Sequence, residues 1–452
     1  MKEKCVLRGD LAISLYEDIA KDLPIIDYHN HLSMADIAND RTFENITPLW
    51  ISPDPYKHRA MRILGVPERY ITGDASDLEK FEKWYESLPR LIGNPLYDWS
   101  ILELETVFGI ELDFDRTSAA ELWEELNEKL SYMTASKILE KFNIDYCAPC
   151  ASLCDDLVLF EGTERYAPSL RGDDIVLPTS ELVSELERIT DIKIDCLEAW
   201  ERAVDIRLGD FVKVGCRYTD HALDNGFSFV GDDGKNGERF SRLLDGDALD
   251  CDGRLRLSSY MLTMLACLYA KHEFTMQLHI GAQRTTSTRL RSIAGPAGGY
   301  AAIGSCVDVA SLTSFLDAIE QSRYGLPKTL LFTLNPADNA VMAILSGSYS
   351  KDGVEAIVSQ GPAWWWCDHR QGMTEMLEHL SVFGVLSTFV GMTTDSRSLL
   401  SFVRHDYYRR TLCQWIADKA EEGVLPKDMA LLRSIILHMC YENARKTIQS
   451  IQ

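Results

Sequence analysis

The sequence predicts one eight-stranded parallel α/β barrel of the TIM type, with a helical insertion after strand one and a helical C-terminal region. Three observations carry that expectation. Eight short apolar or β-branched runs recur along the chain, at 25–29, 145–150, 164–169, 211–217, 274–279, 329–334, 355–360 and 387–391. Amphipathic helical spacing lies between many of them, at 179–189, 196–207, 257–271, 308–322, 337–346 and 372–383. Strands alternating with helices indicate parallel pairing, and eight of them close a barrel. Polar residues able to do chemistry also follow successive runs, where barrels of this kind build their sites.

Residues 11–22 read as a short amphipathic helix leading into the first run, Ile25-Ile26-Asp27-Tyr28-His29-Asn30-His31-Leu32. Side chains two apart on a strand face the same way, so His29 and His31 are expected to project together. Two imidazoles at that spacing can share one divalent metal. From 33 to 143 there is little strand character. Helical spacing at 58–64, 77–88 and 118–143 is broken by Pro48, Pro53, Pro55, Pro67, Pro89 and Pro95, which reads as an insertion within a single domain spanning 1–452. The strand–helix alternation starts near 145, and 398–452 forms the C-terminal helices. No internal repeat or low-complexity segment is present, and 232–237 reads as an exposed polar loop.

The 452 residues carry 46 Lys plus Arg against 69 Asp plus Glu, a formal charge of -23. That balance excludes a broad nucleic-acid-binding face, which needs a basic patch. No apolar run approaches a membrane span, and the first ten residues lack a signal-type apolar stretch. Twelve scattered cysteines in a chain this long read as free thiols of a reducing cytoplasm. The spacing Cys147-x-x-Cys150-x-x-x-Cys154 lacks a fourth partner and reads as buried thiols, not as a cluster site.

Around the barrel mouth the sequence offers His29 and His31 after strand one, Arg171 after strand three and Asp220 and His221 after strand four. His279 and Arg284 follow strand five, Trp364 to Asp368 strand seven, and Asp395 with Arg397 strand eight. Two or three histidines with an aspartate make a divalent-metal set. Each residue also has a structural reading: His279 as a packed core histidine, His221 as an orienting or capping group, the arginines as ion-pair partners, the tryptophans as core. The charged stretch His405–Arg410 reads as a structural helix. There is no P-loop, dinucleotide fingerprint or Gly-x-Ser-x-Gly elbow.

Several longer stretches, spread over nearly the whole chain, resemble the uronate isomerases of the amidohydrolase superfamily. They include Asp27–Leu32, Tyr56–Arg62, Thr72–Asp77, Ile92–Tyr97, Asp220–Asp224, Gln277–Ala282, Leu334–Pro336, Trp364-Trp365, Gly391–Ser398 and Arg404–Arg410. The resemblance implies a barrel with one divalent metal that interconverts glucuronate with fructuronate, or galacturonate with tagaturonate. It matches His29, His31 and Asp395 to the metal site, and Tyr56, Arg171, Asp220, His279, Trp364 and Arg397 to other active-site positions. Zinc is the first expectation for an imidazole-rich site, with manganese, iron or cobalt also suited. Asp395 is expected as the base at C2, Arg397 as the enediolate's partner, Tyr56 as the acid and Arg171 as the carboxylate's partner. His279 is a further ligand or substrate contact. A metal-only Asp395 with Tyr56 as base is the alternative division of roles.

The rival functions are a metal-dependent lactonase or deaminase, and a non-catalytic sugar-acid-binding protein. The expected partners are a small hexuronate and further copies of the chain, without nucleic acid or membrane. After Ala282 the family's arginine and asparagines give way to Gln283-Arg284-Thr285-Thr286-Ser287-Thr288, and its Asp-rich stretch to Gly295–Ile303. A shifted sugar preference is expected from these departures.

Overall fold

Strand alternation puts one set of side chains from every strand into a shared interior, and that interior is what the sheet curls around. The computed structural model describes residues 5–449; the ends of the expected spans, 1–4 and 450–452, lie outside it. Seven strands form one parallel sheet in sequence order: β1 (Ile25–Asn30), β2 (Ile144–Ser152), β3 (Ser169–Arg171), β4 (Tyr218–Leu223), β5 (Thr275–Ile280), β6 (Thr329–Thr333) and β7 (Val358–Gln360). Ile26 and Tyr28 of β1, Tyr146 and Ala148 of β2, Tyr218 of β4 and Leu330 and Phe332 of β6 gather with Val390 in one buried cluster. Tyr28 stacks on Tyr218 at 5.3 Å, so β1 and β4 face each other across that interior.

The eighth run, at 387–391, is not a strand. Leu386–Thr388 forms a 3-10 turn, and the chain beyond it runs extended beside β1 without a regular ladder. Two backbone bonds tie it there, Asp395 N to His29 O at 3.0 Å and His31 N to Ser396 O at 2.8 Å. A side chain replaces the next rung: Thr393 Oγ1 accepts from the amide of His29 at 2.9 Å. The eighth place of the barrel is therefore filled, with hydroxyl groups doing part of what a strand's backbone would do.

Two other spans are shifted. The third strand begins at Ser169, where the expectation ended, and its earlier part makes only an isolated bridge from Tyr166 to Cys147. The fourth, expected at 211–217, starts at Tyr218 because Leu197–Lys213 is one helix. Ala203, Val204, Leu208 and Phe211 recur at helical spacing and are buried, so Phe211 belongs to the helix's packed face. The remaining strands and the six helices between them start and end within a few residues of the expected places, apart from longer helices at Leu197–Lys213 and Cys251–Lys271.

Between β1 and β2 the chain is mainly helical, including Pro55–Ile63, Asp77–Ser87, Pro95–Glu103 and Ala119–Leu130. Asp54 caps the first of these by accepting from Tyr56 N, and Pro55 occupies the opening position where no amide is needed. After Arg397 the chain is again mostly helical, led by Val403–Glu421. That helix is buried over most of its length and braces the mouth: His405 Nε2 meets Asp27 Oδ1 at 3.1 Å, and Arg404 donates to the Thr394 carbonyl at 3.3 Å.

Candidate active site

The C-terminal ends of the strands enclose a cavity of about 340 Å³. Its lining includes His29 from β1 and His31 just beyond it, Arg171 from β3, Asp220 from β4, His279 from β5, Trp364 and Trp365 beyond β7, and Asp395 and Arg397 from the eighth position. Eight of the nine expected site residues thus meet in one space. Alternation alone does not place His29 there, because it shares parity with Asp27, which points away from the interior toward His405. The β1–β2 register slips between Asp27 and Asn30, and past that slip His29 packs against His279 with ring centres 4.6 Å apart and the rings tilted by 37°.

Asp395 joins the two imidazoles. Its Oδ1 lies 3.3 Å from His29 Nε2 and 3.0 Å from His31 Nε2, and its Oδ2 accepts from Trp364 Nε1 at 2.7 Å. Burial disfavours its charge, but the two histidines outweigh burial and hold the carboxyl well below the usual range. Asp395 sits at φ 47°, a left-handed conformation uncommon outside glycine. Trp365 and Trp366, at φ 22° and 35°, carry the same kind of strain on the opposite loop. Fully buried Asp27 anchors the segment, accepting from Thr394 N and from Thr394 Oγ1 at 2.8 Å.

His279 Nε2 is buried and has no hydrogen-bond partner among the described residues. Burial, then the neighbouring His29, pushes its pKa well below the ordinary value, so the ring is neutral. Arg397 lines the cavity with no ion pair among the described residues. Arg171 reaches Asp173 at 3.1 Å, and Arg284 pairs with Asp224 at 2.8 Å while lying over the Trp365 ring. The divergent loop supplies an apolar wall, Pro296, Ala297 and Ala301. It docks on the helix that carries Tyr56: Arg62 donates to the Gly298 carbonyl, and Gly299 at φ 79° leaves no room for a Cβ against the Pro55 carbonyl.

Tyr56 is the exception. It lines a second, larger cavity of about 1020 Å³ with Arg59, Asp98, Asp368 and His369. Its hydroxyl donates to Asp368 Oδ2 at 2.9 Å, and burial raises its pKa well above the ordinary value. His221 is also held apart, bonded to Tyr269 Oη at 2.9 Å.

Cys150 was not expected at the site. Its Sγ lies 3.6 Å from His29 Nδ1 and 3.7 Å from Asp220 Oδ1. Burial raises its pKa, but His29 and His31 bring it down to about 5; burial and Cys150 together push Asp220 up to about 8. The signal was its parity, since Cys150 falls on the same face of β2 as Tyr146 and Ala148 while Cys147 bonds outward to Asn30.

The donors fit a divalent ion. Ligand atoms of His29, His31 and Cys150 lie within 4.8 Å of one another, as do those of His29, Asp220 and His279. Asp395 adds a carboxylate between the imidazoles, and the orphaned His279 nitrogen faces the same group.

Comparison with known proteins bears on all of this. The glucuronate isomerase family model matches residues 1–448. The uronate isomerase of Bacillus licheniformis is 37% identical, covering 99% of this chain and 97% of that protein. That of Caldicellulosiruptor bescii is 38% identical over 99% and 98%. The uronate isomerase structure from Thermotoga maritima superposes with a TM-score of 0.91 at 27% identity, covering 99% of both chains.

Proposed function

The chain belongs to the glucuronate isomerase family, and from that premise we propose that it interconverts aldo- and keto-hexuronates, D-glucuronate with D-fructuronate and D-galacturonate with D-tagaturonate. The observation that carries the reading is the meeting of His29, His31 and Asp395 with the unpaired Arg397 in one cavity of about 340 Å³, large enough for a hexose acid.

The reaction moves a proton from C2 to C1 of the open-chain sugar through an enediol. Arg171 holds the substrate carboxylate with parallel hydrogen bonds, exchanging its hold on Asp173 for the ligand. Asp395 is ionised at working pH and takes the C2 proton, later returning it to C1. Arg397, a permanent cation, stabilises the enediolate oxygen. His279, a neutral ring, protonates the carbonyl oxygen at C1 as the C2 proton leaves and takes up the O2 hydroxyl proton as C1 is protonated, so that it ends as it began. Trp364 fixes the carboxylate of Asp395 through Oδ2. His29, His31 and Asp395 would hold one divalent ion, with zinc the best match to imidazole donors, and it would supply positive charge to the reaction. All twelve cysteines are free, which supports a cytoplasmic setting, and no helix among the described residues is long and apolar enough to cross a membrane.

Product analysis tests the reading. Ketose formed from glucuronate or galacturonate at unchanged mass, by protein containing one metal per chain, is the expected outcome. Products heavier by one water would instead make the protein a hydrolase on the same barrel.

A further inference from the structure

The two nitrogens of His29 face different partners. Nε2 looks at Asp395 from 3.3 Å, and Nδ1 looks at Cys150 Sγ from 3.6 Å. A neutral imidazole carries one N–H, and the bond made by that nitrogen decides which lone pair is offered to a metal. Metal-binding histidines are usually fixed this way by a carboxylate or a carbonyl. Here the partner is sulfur. We propose that Cys150 is a positioning residue for the metal centre: its sulfur accepts from Nδ1–H of His29 and so presents Nε2 to the ion beside Asp395 and His31. The inference rests on the metal reading above.

Asp220 completes the chain on the far side, with Oδ1 3.7 Å from the same sulfur. One proton between Cys150 and Asp220 satisfies both. As a thiol, Cys150 donates to the carboxylate; as a thiolate, it accepts from the carboxylic acid. In either form sulfur retains a lone pair for Nδ1–H, so the orientation of His29 does not depend on where that proton sits. Ligand atoms of His29, His31 and Cys150 also lie within 4.8 Å of one another, so direct ligation by sulfur is the alternative that the test separates.

The test uses the full-length protein stripped of metal and titrated with zinc against a chromophoric chelator. Cys150→Ala is expected to weaken zinc binding about 10–100-fold, the usual loss when an outer partner of a ligating histidine is removed. Cys150→Ser, whose hydroxyl can also accept from Nδ1–H and donate to Asp220, is expected to recover most of that loss. A purely steric role for the side chain predicts no such recovery by the smaller serine, and serine as weak as alanine overturns the proposal. Wild-type affinity in Cys150→Ala overturns it as well. Cobalt-loaded wild-type protein is expected to lack a near-ultraviolet sulfur-to-cobalt charge-transfer band; that band would make Cys150 a ligand and end the positioning role. Wild-type protein that binds neither zinc nor cobalt would instead remove the metal reading, and this inference with it.

Discussion

Two of the molecule's cavities lie on either side of the tryptophans at 364–366, and they differ in kind. The larger, about 1020 Å³, is lined by Tyr56, Arg59, Asp98, Asp368 and His369, and the buried pair among these, Tyr56 and Asp368, already bond each other. The smaller, about 340 Å³, holds a histidine nitrogen and an arginine that have no hydrogen-bond or ion-pair partner, respectively, among the described residues, and an aspartate on strained backbone. A closed hydrogen-bond account stabilises the fold and leaves nothing for a ligand, whereas open valences in a buried space cost free energy unless a ligand or ion completes them. Volume ranks the two cavities one way and the groups left unsatisfied rank them the other, and the proposed function follows the second ranking.

The strongest test of that contrast removes the imidazoles. His29→Ala combined with His31→Ala is expected to lose the bound metal and, with it, measurable turnover, while the larger cavity keeps its shape. Metal analysis beside an activity assay reads both, and unchanged occupancy would move the ion elsewhere. Next in size is Asp395→Asn. Positioned acid–base groups contribute on the order of 10²–10⁴-fold, and a loss in that range is expected. The informative measurement is exchange of the C2 hydrogen with deuterated solvent in a variant that retains its metal. Exchange at the wild-type rate would strip Asp395 of its role as base.

Arg171→Lys addresses the substrate end of the smaller cavity. Lysine keeps the charge but cannot make two parallel bonds to a carboxylate. Losing one charge-assisted bond of about 1.5–3 kcal/mol corresponds to roughly a ten- to hundredfold drop in kcat/KM on uronates. Wild-type kinetics would mean that Arg171 serves only its neighbour Asp173.

The same contrast explains what could be read from the sequence. The parallel barrel was legible because each strand is a short apolar run and each intervening helix keeps its spacing. The eighth strand was over-read because Thr388, Phe389 and Val390 look β-forming, yet the chain meets β1 only beyond them, where the hydroxyls of Thr393 and Thr394 bond His29 and Asp27 in place of a ladder. Most of the cavity's polar lining was legible from position after each strand. Cys150 was passed over as a buried thiol, although its parity with Tyr146 and Ala148 on β2 marked the face it shares with them. The placement of Tyr56 was not legible, because it depends on a capped helix start far in sequence from Asp368, the residue that accepts its hydrogen bond.

Tyr56→Phe is the smallest expected effect on activity and the sharpest test of the division between cavities. The phenol belongs to the larger cavity, where it is buried and donates to Asp368, itself in contact with Arg404 at 3.3 Å. Removing the hydroxyl leaves a buried carboxylate one donor short, a cost of about 1–3 kcal/mol. That loss should appear as lower stability to denaturant, with turnover changed less than about tenfold, below the range for a direct acid or base. Arg404 lies 4.7 Å from the Tyr56 ring centre and also donates to the Thr394 carbonyl, so a small shift can still reach Asp395 through the backbone. A fall in kcat of about 10²-fold or more, with stability intact, would show the opposite. Tyr56 would then turn toward the substrate and act as the acid or base, and the two cavities would work as one site when the sugar is bound.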